Sequence, residues 1–314
     1  MRVNLMIEGQ ESVTWDQWLG LAEAVESAGL EGLFRSDHYQ SVQSRTERSS
    51  LDAWSTLAAL GQATSTIRLG TMVSPASFRH PSVLCKAVVT ADHVSGGRVE
   101  LGLGAGWHEL EHTTYGFPFH DLGQRYEVFE EQLEIVVRQM TEERFDFHGR
   151  HYTLDGCEAR PKPVQEPRVP IILGGRAGPR GSRLAARWAD EYNTTFPSPD
   201  AVRERRANVD RACEEVGREP LVFSMMTGCL LGATEDEVRT RARRLMEVSG
   251  RDGDVDGWLD GLRDEWIVGT PEQAAERLEV YRDAGLSRVF LQHQLHDDLE
   301  MVALVGEVAK LTAS

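Results

Sequence analysis

In the stretch GLFRSDHYQ, residues 32 to 40, an apolar run ends abruptly on Asp37 and His38. The imidazole titrates nearest to neutral pH of all side chains, so it can act as general acid or base, and a neighbouring carboxylate can orient it and tune it. Asp37, adjacent in sequence, is the expected orienter. The competing reading makes both residues caps of the loop that follows. A second candidate is ILGGRAGPRGSRLAARWAD, residues 172 to 190. Here Gly174 and Gly175 end an apolar run, and Arg176 and Arg180 precede a helical pattern opening near Gly181-Ser182. Free backbone N–H groups at a helix start, together with guanidinium groups, suit a phosphate. A solvated loop with incidental arginines is the alternative.

Two further motifs stand side by side. LGLGAGW, ending at Trp107, follows a strand-like run. Small residues such as Ala105 and Gly106 let a flat ring approach the backbone, although a tight turn needs only one of the glycines. The stretch is not a dinucleotide fingerprint, because Trp107-His108 follow Gly106. HELEH, residues 108 to 112, has the spacing of a zinc-protease helix. It directly follows the glycine loop, and position 115 is Tyr115 where the extended motif needs glycine. The match reads as accidental, and no metal is expected. Neither a GxSxG elbow nor a P-loop is present.

The elements that must position these residues alternate. Strand patterns at 3 to 7, 31 to 35, 67 to 73, 98 to 103, 169 to 173, 191 to 195, 221 to 231 and 289 to 292 are separated by amphipathic helical stretches. Thr14 to Gln17 has capping-box spacing, with Trp15, Trp18, Leu19, Ala22 and Val25 on one expected face. His80-Pro81 opens another helix, and the last helix spans 299 to 311. Eight βα units favour a closed (β/α)8 TIM barrel over an open doubly wound sheet. One domain over 1–314 is expected, with a hairpin and proline-rich insertion at 143–168 and an irregular one at 249–268. In such a barrel the C-terminal strand ends carry chemistry. Asp37, His38, Ser74, the 104–107 loop, Gly174 to Arg176 and His293 all fall there.

Composition bounds the partners. The chain has 314 residues, 40% hydrophobic and 27% charged, and a formal charge of −16. That charge argues against nucleic-acid binding but not against a small anion held by a few arginines. No apolar run approaches the roughly 18 residues of a membrane helix, and the first residues lead straight into a strand, so neither a span nor a signal peptide is expected. Cys85, Cys157, Cys213 and Cys229 lack metal or redox spacing and fit reduced thiols in a cytoplasmic protein.

SDHY, IRLGTMVSPASFRHP, ADHVSGGRVELGLGAGW, EHTTYGFPF, PKPVQ, PIILGG, AARWADEYN and EWIVGTPEQAAERL together resemble the luciferase-like superfamily of flavin- and deazaflavin-dependent oxidoreductases. The likeness is strongest to the branch using coenzyme F420 and covers nearly the whole chain. The resemblance implies that His38 lies near the reactive ring and that Met72-Val73 is a non-proline cis peptide behind it. It implies that Ala105, Gly106 and Trp107 line the ring edge. Gly174, Gly175 and Arg176 would hold the phosphate, with Arg180 nearby. It further implies a homodimer, a small organic substrate, and a separate reductase that regenerates the cofactor. The sugar-phosphate dehydrogenase branch carries a glutamate where this chain has Trp107, which argues against glucose 6-phosphate.

The expected activity is therefore hydride transfer between coenzyme F420 and a small molecule. Its rival on the same fold is a two-component monooxygenase using FMN and O₂. Outside catalysis, the rival is a flavin- or deazaflavin-binding accessory protein. A zinc hydrolase through His108, Glu109 and His112 would require stoichiometric metal. Loops at 40–50, 107–124, 143–168 and 249–268 would shape the substrate pocket.

Overall fold

The computed structural model describes every residue except 44, 46 and 314; two of these fall in the 40–50 loop expected to shape the substrate pocket, and so lie outside the described residues. In chain order the elements are β1 (Arg2–Ile7), α1 (Trp15–Ala28), β2 (Gly32–Arg35), α2 (Ala53–Ala63), β3 (Arg68–Thr71), β4 (Ser74–Pro75), α3 (Pro81–Ser95) and β5 (Val99–Gly104). There follow α4 (Glu109–Tyr115), α5 (Leu122–Thr141), β6 (Phe145–His148), β7 (Thr153–Cys157), β8 (Ile171–Gly174), α6 (Pro179–Trp188), β9 (Glu191–Thr195) and α7 (Pro199–Glu215). The chain ends with β10 (Val222–Leu231), α8 (Glu235–Val248), α9 (Val255–Glu265), β11 (Ile267–Gly269), α10 (Pro271–Asp283), β12 (Arg288–Gln292) and α11 (Leu299–Leu311).

Among the described residues, eight parallel strands close in the order β1-β2-β3-β5-β8-β9-β10-β12, with β12 returning to pair with β1. This is the (β/α)8 barrel that the alternation predicts. Helix starts follow local chemistry. Thr14 and Gln17 form the predicted capping box on α1, and Gly29 takes the left-handed conformation that ends it. His80 caps α3, accepting from the backbone of Ser82, with Pro81 in its first turn. Trp15 departs from expectation. It sits at the first helical position and is 37% exposed, while Leu21 joins Trp18, Ala22 and Val25 on the buried face.

Both insertions are structured. At 143–168, β6 and β7 pair antiparallel as the predicted hairpin. The segment 249–268 is not irregular. It holds α9 and β11, and β11 pairs in parallel with the part of β10 that overhangs the barrel rim.

The barrel interior is layered. At its base Arg288 donates to Glu31, Glu100 and Glu191, all within 2.7 Å. Above it an apolar layer of Met6, Phe34, Met72, Ile172, Met226 and Phe290 fills the lumen, with Phe34 and Phe290 meeting edge to face at 4.8 Å. This layer is the floor of the mouth where the candidate residues gather.

Candidate active site

The peptide between Met72 and Val73 is cis, at the position the resemblance marked. Val73 lies over the ends of β5 and β8. A Cβ added at Gly102, Gly104 or Gly174 would meet its methyl groups at 3.0, 2.9 and 3.5 Å. The bare backbone of those strand ends is thus what admits Val73, packed against the apolar floor.

His38 stands on the loop leaving β2. Its side chain is 12% exposed, and its Nδ1 lies 2.6 Å from Oε1 of the fully buried Glu111 on α4. The other oxygen of Glu111 accepts from the backbone N–H of Tyr39 at 3.0 Å, which fixes the carboxylate. Burial alone pushes His38 down. The hydrogen bond and charge of Glu111, followed by the charges of Glu8 and Asp37, outweigh it, so the imidazole is held above its ordinary value. A neutral His38 that donates from Nδ1 keeps Nε2 as the nitrogen able to take a proton.

Asp37 is not the orienter that sequence adjacency suggests. It is buried and accepts from Ser74 Oγ at 2.6 Å and from both terminal nitrogens of Arg79. Arg79 also reaches Asp52 and the Tyr39 hydroxyl. Burial works against the charge of Asp52, but the Ser55 N–H and Arg79 hold its carboxyl down at about 2. Behind them the buried Arg35 donates to Ser36 O, Thr56 Oγ1 and Leu51 O, and stacks 4.9 Å over Trp18. Asp37 therefore anchors the loop that presents His38.

Of the HELEH residues, Glu111 serves His38, while His112 is spent on packing the loop. His112 spends Nε2 on Ser77 Oγ at 2.6 Å and Nδ1 on the carbonyl of His108 at 2.7 Å. Glu109 faces solvent. Positions 108, 111 and 112 share one helical face, which turns Glu111 inward and Glu109 outward. Trp107 and His108 present ring edges to His38 at 5.7 and 5.9 Å. Trp107 is 63% exposed, and Ala105 and Gly106 are partly exposed beside it, Gly106 at φ 79°. Of these three, Trp107 stands beside His38.

The second cluster follows β8, across the barrel from β1 and β12. Helix α6 begins at Pro179, two residues earlier than the sequence suggests, because proline fits the first turn. Its N-cap, Gly178, offers no side-chain hydrogen bond, and nothing lies within 4 Å of where its Cβ would be. Ser182 Oγ is buried without a partner among the described residues. Arg176 is exposed, and its side chain makes no ion pair or hydrogen bond among them. Open N–H groups, an unspent hydroxyl and a free guanidinium fit a phosphate. Arg180 turns away, over the Tyr126 ring and toward Glu130 and the Gly123 carbonyl.

The rim after β12 holds His293, fully buried with neither ring nitrogen partnered among the described residues. Desolvation first, then His296, pushes it down to about 3. Sequence reasoning missed Glu111, Arg79 and Glu8. Glu111 was open to discovery through the 3.6-residue period of its helix; Arg79 and Glu8 carry no motif.

A parallel barrel with a histidine–carboxylate pair at its mouth, facing an open anion cradle, is the class of protein defined so far. The chain belongs to the luciferase-like monooxygenase family, whose model matches residues 2–288. It is 27% identical to an F420-dependent glucose-6-phosphate dehydrogenase of Nakamurella multipartita over 331 aligned residues, covering 91% of this chain and 89% of that one. An F420-dependent secondary alcohol dehydrogenase in complex with an F420-acetone adduct superposes with a TM-score of 0.82 at 19% identity, covering 99% of this chain and 98% of the other. A monooxygenase from Streptomyces bottropensis gives 0.85 at 22% identity with the same coverage. Both structures share the fold. No helix among the described residues is long and apolar enough to cross a membrane.

Proposed function

We propose that this chain is an oxidoreductase moving hydride between C5 of coenzyme F420 and a small organic substrate, with His38 as proton partner. The observation that carries the reading is the His38–Glu111 pair, held at 2.6 Å at the mouth of the barrel. Such a pair suits proton traffic coupled to reduction or oxidation of a polarised bond. The F420-dependent relative matched over 91% of the chain supports the choice of deazaflavin over FMN. The bound cofactor supplies the hydride.

The chain's own residues do the rest. The Gly174–Gly178 loop, Arg176 and Ser182 would hold the cofactor phosphate. Met72 and Val73 would support one face of the ring, and Ala105 to Trp107 its edge. Glu111 holds Nδ1–H, stabilises the imidazolium and leaves Nε2 to give a proton to the substrate or take one from it. Trp107 has no proton to offer where the sugar-phosphate branch carries a glutamate, so a substrate other than glucose 6-phosphate is proposed. Turnover then needs a separate enzyme that restores the cofactor.

Calorimetric titration with coenzyme F420 and with FMN, side by side, tests this. F420 is expected to bind at least ten-fold more tightly. A preference for FMN would replace the reading with a flavin monooxygenase on the same scaffold, and failure to bind either would remove redox catalysis.

A further inference from the structure

A cavity of about 690 Å³ lies on the side of the mouth opposite the anion cradle. Its walls come from the loop that begins at His38, from the chain just after β12, and from α8 and α9. Its size suits a small molecule. Trp258 and Trp266 offer aromatic surface, Gln43 and Gln294 offer carboxamides, and Arg45 and Arg251 are its cations.

His38 does not line the cavity, but packed residues lead from the cavity wall toward it. The Trp266 indole lies flat on β10, since a Cβ at Gly228 would come within 2.1 Å of it. Gly228 stands in register with Gln292, and Gln292 donates to Glu8. Glu8 is one of the charges that raise His38.

Three features give the cavity a chemical preference. The left-handed Gly250 lets Arg45 approach the backbone beside Arg251, for a Cβ there would lie 3.0 Å from Arg45 Nη1. Arg45 is matched by Glu47 at 2.6 Å, whereas the Arg251 side chain makes no ion pair or hydrogen bond among the described residues. A guanidinium left free on a cavity wall can hold an anion even in a chain of formal charge −16. Glu265 is the one carboxylate on the lining. Finally, α9 carries Gly261 in its interior, where glycine is the least favourable residue after proline. Nothing lies within 4 Å of its missing Cβ, so its absence widens the cavity and relieves no clash.

We propose that this cavity is the substrate half of the site and takes a flat ring system bearing a carboxylate or similar oxyanion. The ring lies against Trp258 and Trp266, and the anion meets Arg45 and Arg251. The assignment rests on the proposed function only in naming the ligand a substrate; the binding chemistry is independent of it.

The test is calorimetry on the full chain with benzoate, 2-naphthoate and 9-anthroate, each beside its neutral carboxamide, with and without coenzyme F420. At least one acid should bind ten-fold more tightly than its amide. Arg251→Gln should erase that preference. Gly261→Leu, a helix-favouring change directed into the cavity, should weaken the acid at least ten-fold. Neither variant should alter F420 affinity more than two-fold. Absence of binding by all the acids, equal binding of acids and amides, indifference to both variants, or competition between the acid and F420 would overturn the assignment. If F420 fails to bind while the acid preference and its loss in the variants persist, the cavity stands and the deazaflavin reading falls.

Discussion

At the scale of single residues, the pair His38–Glu111 sets the pH behaviour. Burial lowers the histidine, and Glu111, followed by Glu8 and Asp37, more than reverses this, so His38 keeps its proton to higher pH than a free imidazole. Glu111→Gln preserves shape and can still accept from Nδ1, but removes the charge. The limb of the kcat/KM profile belonging to His38 should move to lower pH, and kcat should fall about ten-fold or more. F420 affinity should stay the same. Stability gives the same sign. A group raised on folding contributes fully below its unfolded pKa, about 6.5, and loses that contribution as pH rises through the folded value. Wild type should therefore exceed Glu111→Gln in melting temperature at pH 6 and converge on it in alkali. A limb that stays put or moves upward refutes the pairing. In sequence, Asp37 is the obvious partner because it is adjacent. Consecutive side chains at a strand end diverge, however, and Arg79 and Ser74 claim Asp37 from the other side.

At the scale of elements, legibility followed pattern strength. Strands of four or more alternating or continuous apolar residues, and helices with caps such as Thr14 and His80, announce themselves. The 249–268 segment does not. Helix α9 sets Val255, Trp258, Leu259 and Leu262 on one face, but its two glycines weaken the helical signal, and β11 has three residues, too few for a period. Their order comes from tertiary contact instead. Asp254 caps α9, β11 pairs with the overhang of β10, and Trp266 between them lies against Gly228. The anion cradle was legible because glycines and a proline at a helix start state their geometry locally. The choice of Arg176 over Arg180 was not, since it depends on Glu130 and Tyr126 from α5. Gly228→Ala tests the tertiary account. A methyl group 2.1 Å from the indole must displace Trp266, with an overpacking cost of about 1–3 kcal/mol. Denaturant titration should show that loss, with a change in tryptophan emission. An unchanged midpoint and spectrum would mean that the ring does not rest on the strand.

At the scale of the molecule, the barrel separates stability from chemistry along its axis. Arg288, nearly inaccessible at the base, reaches Glu100 on β5 and Glu191 on β9, and Glu31 just before β2, while the rings of Phe34 and Phe290 lie about 5 Å from its guanidinium. It thus joins strands from opposite sides of the barrel. Desolvation favours the neutral form of both acids. Arg288 wins at Glu100, which is held low, whereas at Glu191 burial and the charge of Glu100 prevail and the carboxyl is raised. Arg288→Met would keep the volume and strand these acids without their cation. Breaking a buried ion cluster by removing one partner costs about 3–5 kcal/mol. The acids of the variant titrate upward, so the penalty should be largest above their raised pKa values and shrink as pH falls and they take up protons. F420 affinity should be preserved in whatever fraction remains folded, because the mouth lies at the far end of the strands. Equal stability of variant and wild type at pH 8, or a gap that widens toward acid, would show that the base of the barrel does not depend on Arg288. Loss of cofactor affinity in folded Arg288→Met would show instead that the two ends of the barrel are coupled.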